Sequence, residues 1–193
     1  MVDETIRVGF VGAGANTKLR HIPGLKAIEG VELVSVANRS RESGQRGANT
    51  FDIPVVYDSW VDLIEASDTN AICIGTWPYM HSALVLAALE NNKHVLTEAR
   101  MAMNATESHR MLNASLNKPN LVTQIVPSPL TLKIDSTVKE LIASGYLGDI
   151  LSVDLTWHQG GFTDYEGPYH WRHDSDLSGY NAMFLGIWYE ALL

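Results

Sequence analysis

The chain has 193 residues, 46% of them hydrophobic and 19% charged, with a formal net charge of -8. That length holds one large domain, or one domain and part of another, and the composition is that of a protein with a buried core. The acidic surplus disfavours nucleic acid and anionic membranes as partners, because both need a basic surface, while a local arginine cluster can still take a small phosphorylated ligand. The single cysteine, Cys73, excludes an internal disulfide and reads as a small buried hydrophobe in the apolar run 71–74. No apolar run approaches the ~20 residues of a membrane span. No signal-peptide hydrophobic region precedes the first strand, so the cytoplasm is the expected compartment.

Residues 6–12 form a short apolar run that predicts a buried parallel strand. Gly12-Ala-Gly14 breaks it, and a helix follows to about Ile28, with Leu19, Ile22, Leu25 and Ile28 at helical spacing and Gly30 as a cap. Residues 31–37 predict a second strand, 40–51 a polar helix and 55–57 a third strand, and Ser59 is placed to cap a helix over 60–66. Then come a fourth strand at 71–75, a strongly amphipathic helix at 80–91 and a fifth strand at 93–97. Asn104 and Glu107 have capping-box spacing for the next helix, and 121–126 predict a sixth strand. Alternating strands and helices with short connections predict an α/β fold with a doubly wound parallel sheet over residues 1–126.

Pro127-Ser-Pro129 marks a domain boundary, and 127–193 begin a second domain of α+β open-sheet type. Its helix spans about 134–144 and is closed by Gly145. In 151–157 apolar and polar residues alternate, which predicts a strand packed on one face only. Residues 159–178 read as a loop rich in glycine and aromatics, and 179–193 as an apolar helix.

Gly12-Ala-Gly14-Ala-Asn16-Thr17 follows a strand and opens a helix, the context in which glycines cradle a dinucleotide pyrophosphate. The first glycine permits the tight turn. The second lets the backbone approach the pyrophosphate, with Ala15 and Asn16 at the positive end of the helix. Thr17 replaces the third glycine, so looser helix–strand packing is expected there. The second strand ends Asn38-Arg39-Ser40 without the carboxylate that an NAD ribose needs. A guanidinium beside a hydroxyl suits a 2′-phosphate, so NADP(H) is expected over NAD(H).

Several segments resemble the Gfo/Idh/MocA oxidoreductase family. They are residues 7–39 with His21-Ile-Pro23, Thr76-Trp-Pro-Tyr-Met-His81, the stretch Leu89 to Glu98 and Gly145-Tyr-Leu-Gly148, then Trp171-Arg172-His-Asp174 with Ser178-Gly179. The resemblance implies a Rossmann-type domain followed by a substrate and oligomerisation domain. Thr76, Trp77 and His81 would border the cofactor, and Glu98 would start the segment facing the nicotinamide. It also implies an oxidoreductase of sugar- or cyclitol-like small molecules. The family's Glu-Lys-Pro motif, however, reads Glu98-Ala99-Arg100 here, and its later Asp and His positions hold Phe184 and Trp188; Pro129 stands where many members keep an arginine. Ala99, Phe184 and Trp188 carry no group for proton transfer.

Three readings therefore stay open. Hydride transfer could continue with other groups, His158, His170, His173, Tyr180 or Arg100. The nucleotide could serve a redox-neutral elimination or hydrolysis. NADP(H) could be bound by a sensor without turnover. His170, His173 and Asp174 suggest a metal site only weakly, since they sit in a loop without a further cysteine, and none is expected. The aromatics Trp157, Tyr165, Tyr169, Trp171, Tyr180 and Trp188 suit either a core and interface or stacking on a sugar face, with core favoured for Trp188. Arg172 reads more as a structural partner of Asp174 or Asp176 than as a ligand contact. Members of the family are longer, so the chain reads as a fragment or short form, and an exposed sheet edge predicts a homo-oligomer through the second domain.

Overall fold

The computed structural model describes residues 5–127, 133–154, 156, 164 and 166–179. The chain divides into two compact units, Met1–Pro127 with Trp171–Asn181, and Ser128–His170 with Ala182–Leu193.

The first unit is built on six parallel strands: β1 Ile6–Val11, β2 Val31–Ala37, β3 Val55–Tyr57, β4 Ala71–Ile74, β5 His94–Thr97 and β6 Thr123–Ile125. Their order is β3-β2-β1-β4-β5-β6, so the chain reverses direction across the sheet between β1 and β4. The helices are α1 Ile22–Lys26, α2 Arg41–Phe51, α3 Trp60–Glu65, α4 Pro78–Glu90 and α5 Ala105–Leu116. The two-residue period of the strands feeds two cores. Val8, Phe10 and Cys73 face Ile22, Ala48 and Ile53, whereas Val11, Ile72 and Ile74 join Leu63, Leu84, Leu89 and Met111 on the opposite face. Both faces are thus covered by helices, as a parallel sheet requires.

The sequence signals at helix ends behave as their chemistry demands. The Ser40 and Ser59 hydroxyls accept from the first-turn N–H groups of α2 and α3, and Asn104 Oδ1 accepts from Glu107 N at 3.0 Å. Cys73 is buried as a small hydrophobe; burial, with the Glu98 charge adding, pushes its thiol up to about 12. Lys93 is buried too, with Nζ donating to the carbonyl oxygens of Ala66 and Thr69, each at 2.5 Å.

Four expectations are corrected here, and a fifth in the second unit below. The first helix is not uniform: a π-helical turn, Thr17–His21, precedes α1, and the extra residue swings Leu19 to 69% and leaves Ile28 at 54% exposure while Ile22 is fully buried. The helix read as amphipathic, α4, buries His81, Ser82, Leu84, Val85, Ala88 and Leu89, because it packs on the sheet and on α3 and α5 as well. The looser packing expected at Thr17 does not occur. Thr17 is buried, its Oγ1 donates to Gly12 O at 3.1 Å, and Gly75 yields the space. The loop read over 159–178 contains a 3-10 turn, Trp171–His173, and a short helix, α7 Ser175–Ser178, capped by the Asp174 carboxylate accepting from Asp176 N at 2.9 Å.

In the second unit, α6 Asp135–Ala143 ends as read, with Gly145 at φ +74°. The alternating strand expected at 151–157 is corrected over its described residues. Residues 151–154 are not in a strand, and Leu151 is 95% exposed. A strand exists only through ladder bonds, and no described segment pairs with these residues. The expected helix at 179–193 lies outside the described residues beyond Gly179.

Candidate functional site

The reversal of strand order between β1 and β4 opens a crevice at the carboxyl ends of these strands, where doubly wound sheets take ligands. Gly12 and Gly75 form its floor. Gly12 N donates to Ala37 O at 2.9 Å, and Gly75 N donates to Val11 O at 2.8 Å. Gly12 has φ +86°, and a Cβ there would lie 2.9 Å from Thr76 N, so only glycine fits. Gly14 differs. A Cβ there would meet only Gly75 O, at 3.7 Å, so packing within the chain does not demand a glycine. Gly14, Ala15 and Asn16 are exposed at the start of the helix, and Thr76 Oγ1 is buried beside Gly12 with no hydrogen-bond partner among the described residues. An open, side-chain-free approach to a helix N-terminus fits a pyrophosphate.

The end of β2 is tied to this loop. Asn38 Oδ1 accepts from Ala13 N at 2.7 Å, and Asn38 Nδ2 donates to Ser43 Oγ at 3.1 Å. Asn38 therefore shapes the glycine turn. Ser40 caps α2, its Oγ accepting from Ser43 N at 3.3 Å. Arg39 is exposed and joins no ion pair among the described residues, while Arg41 pairs with Asp58 at 2.7 Å. The guanidinium of Arg39 is thus available to an anion beside the Ser40 cap.

Across the crevice, Glu98 follows β5, its N donating to Ile74 O at 3.0 Å. Its carboxylate Oε1 accepts from Asn16 Nδ2 and contacts His21 Nε2 at 2.6 Å, bridging β5 to the helix after β1. Burial pushes this carboxyl up, but the bonds from His21 and Asn16, the His21 charge and the Ala99 N–H outweigh it and hold Glu98 below the usual carboxylate range. His21, singled out in the sequence only within the His21-Ile-Pro23 segment and not as a site residue, is brought to Glu98 by the fold.

His81 is fully buried and borders the crevice through backbone. Nδ1 lies 2.7 Å from Arg100 O and Nε2 3.0 Å from Thr76 O. The imidazole therefore clasps the loop after β4 to the loop after β5. Burial pushes its pKa below the ordinary value, outweighing the carbonyls and the Glu98 charge that favour protonation.

The 171–179 segment closes on both loops. Trp171 stacks on Trp77 with centroids 5.6 Å apart at 17°, and Arg172 Cζ sits 4.4 Å over the Trp171 ring. Arg100 Nη2 donates to Ser178 O at 3.3 Å. Of the catalytic candidates, Arg100 is thus at the site and His173 lies in the adjoining 3-10 turn. His170 falls in the second unit, and His158 and Tyr180 lie outside the described residues, as do Phe184 and Trp188. Among the described residues no group of three His, Cys, Asp or Glu side chains comes together to hold a metal. No described helix is long and apolar enough to cross a membrane. A cavity of about 580 Å³ opens at the opposite, amino ends of the strands, where Lys26 already pairs with Asp52 at 3.2 Å and Arg7 Nε donates to Asp68 O at 2.9 Å.

The family model described as an oxidoreductase family with an NAD-binding Rossmann fold matches residues 6–125. An uncharacterized oxidoreductase, ORF334, from Rhizobium meliloti is 24% identical over 186 residues, 96% of this chain and 54% of its own length. The chain thus spans about half the length of the curated relatives it matches. The apo scyllo-inositol dehydrogenase of Lactobacillus casei superimposes with a TM-score of 0.67 at 21% identity, covering 77% of this chain and 44% of that one. The same enzyme has been solved with NAD(H) and scyllo-inositol. A mutant of the 3-ketoreductase KijD10 from Actinomadura kijaniata, in complex with TDP-benzene and NADP, superimposes with a TM-score of 0.66 at 23% identity, covering 76% of this chain and 45% of that one. At these identities the likeness shows the fold.

Proposed function

The chain belongs to the Gfo/Idh/MocA oxidoreductase family, and from that premise we propose that it is the cofactor-binding part of an NAD(P)-dependent oxidoreductase acting on a sugar- or cyclitol-like small molecule, with NADP(H) preferred over NAD(H). The observation that carries this reading is the open face of Gly14 above the Gly12–Gly75 floor, a glycine that packing within the chain does not demand and that leaves room for a pyrophosphate. Preference for NADP(H) is supported by Arg39 beside the Ser40 cap and by the absence of a carboxylate at the end of β2.

The nicotinamide, when bound, supplies the hydride acceptor or donor. Arg100 offers a permanent cation one residue beyond the family's lysine position; it stabilises a negative oxygen but gives no proton. The Glu98 bridge holds His21 and Asn16 against β5 and orients the imidazole. Proton transfer falls to a histidine or tyrosine, with His158, His170, His173 and Tyr180 as candidates. Assembly of copies through the second unit belongs to the same reading, supported by the exposure of Leu151 and Val153, and sedimentation velocity tests it. A second reading, a sensor that binds NADP(H) without turnover, is favoured by Ala99, which leaves the lysine position without a functional group.

Calorimetric titration of the chain with NADPH and NADH tests the reading. Binding of NADPH about tenfold or more tighter than NADH, lost in Arg39→Ala, is expected. Binding of neither removes the cofactor function; equal binding removes the NADP(H) preference.

A further inference from the structure

Asn16 stands at the N-cap position of the turn Thr17–His21, which runs on without a break into α1, yet its side chain caps nothing. Asparagine is among the strongest N-cap residues, because its side-chain oxygen accepts from first-turn N–H groups. Here the side chain is turned to the end of β5 instead. Its Nδ2 donates to Glu98 Oε1, and an ionised carboxylate, which only accepts, holds the amide by its N–H end. Lys18 N, donating to Gly14 O at 3.0 Å, is the first amide of this helix to find a backbone carbonyl among the described residues, and Gly14 has no side chain to offer. The N–H groups beside the open face of Gly14 are thus left free for a ligand.

Glu98 can hold Asn16 because it is itself held. His21 Nε2 lies 2.6 Å from the same Oε1, and the His21 and Glu98 side chains are only 12% and 15% exposed. Glu98 N donates to Ile74 O at 3.0 Å, which fixes the residue at the end of β5. Asn16, by contrast, is exposed. Without its bond to Glu98 nothing on the surface restrains it, and the residue type favours a turn back over the first-turn N–H groups.

We propose that Glu98 is a positioning residue for the dinucleotide: by engaging the Asn16 amide it keeps the first-turn N–H groups uncapped and open to the pyrophosphate. The inference rests on the cofactor reading above. Its sign is opposite to that of simple charge repulsion. A carboxylate beside a phosphate site repels the phosphate, so charge alone would make binding tighter when Glu98 is removed. Loss of the Asn16 anchor instead lets the asparagine compete for the same N–H groups, and binding weakens.

Calorimetric titration with NADPH of wild type, Glu98→Ala, Glu98→Gln, Asn16→Ala and the double variant Glu98→Ala with Asn16→Ala tests this, each on protein shown to be folded by its melting curve. Glu98→Ala is expected to bind about five- to tenfold more weakly, the size of one N-cap interaction. Glu98→Gln, whose amide oxygen still accepts from Asn16, loses less. In the Asn16→Ala chain the further change Glu98→Ala no longer weakens binding. Tighter or unchanged binding in Glu98→Ala overturns the proposal, and so does an equal loss in the Asn16→Ala background, which would make Glu98 a direct contact. A measurement on the unliganded wild type needs no variant that might fail to fold. By NMR, one of the two Asn16 side-chain amide protons is expected to exchange with water more slowly than the other, and equally fast exchange of both overturns the proposal. Failure of wild type to bind NADPH removes the cofactor reading and the proposal with it, whereas binding with the wrong pattern among the variants removes the proposal alone.

Discussion

Thr17 Oγ1 donates to Gly12 O at 3.1 Å and occupies the space in which a side chain on Gly75 would begin, 1.9 Å away. A motif that lacks its third glycine thereby keeps close helix–strand packing, because the missing space is supplied from β4 rather than from the helix. The three residues come from three different elements and fit only together.

Gly75→Ala is therefore expected to destabilise the fold by about 1–3 kcal/mol, as overpacking of a close-packed site does. A Cβ there would also lie 2.4 Å from Gly12 O, so Thr17→Ala in the same chain recovers only part of the loss. Thermal melts of the single and double variants check this. Full recovery in the double variant would place the whole conflict at Thr17.

Glu98 bridges β5 to the first helix as a carboxylate, and its folded pKa lies below the ordinary 4.5. Its contribution to stability is accordingly complete above that ordinary value and is lost as the pH falls through the lower folded pKa. Glu98→Gln should lower stability at neutral pH by about 1.5–3 kcal/mol, the range for hydrogen bonds to a charged group. The gap between wild type and variant should narrow below pH 4.5 in melts taken across the acid range. A gap that stays constant with pH would mean that the charge of Glu98 plays no part.

His81 titrates the other way. Its folded pKa lies below the ordinary 6.5, so the unfolded chain binds the proton more readily. Stability tied to His81 is complete above 6.5 and erodes as the pH falls below it. His81→Gln should cost about 1–3 kcal/mol at pH 8, because the one N–H of the neutral imidazole serves the carbonyl oxygen of Arg100 or of Thr76, and that buried acceptor loses its donor. Between pH 7 and pH 5 the variant should lose less stability than wild type, and parallel pH profiles of the melting temperature would contradict this role for His81.

Much of the fold was legible along the chain. Short apolar runs bounded by glycine and by capping serines located the strands and helices of the first unit, because parallel strands buried on both faces need such runs and helix ends need such caps. The glycine turn was legible for the same local reason. In the second unit the helix α6 was legible too, but the strand was not. The alternation of Leu151, Val153, Leu155 and Trp157 reads as a strand in isolation, yet ladder formation depends on a partner that no local pattern reveals, and Leu151 is instead almost fully exposed.

At the site the division is equally physical. Gly12, Gly14, Asn38 and Arg39 stood out in the sequence because a dinucleotide turn is a local, near-contiguous structure, whereas Glu98 was pointed to only by the family resemblance. Only the tertiary structure joined His21 and Asn16 to Glu98, set His81 as a buried clasp, and brought Trp171 onto Trp77 and Ser178 onto Arg100. These contacts connect residues between 19 and 82 positions apart, or more distant segments still. By itself the sequence determined the elements and the cofactor turn, since those follow from periodicity and backbone chemistry. Which side chains meet at the far end of the sheet was decided by strand order, since only the run β1-β4-β5 brings the three loops together.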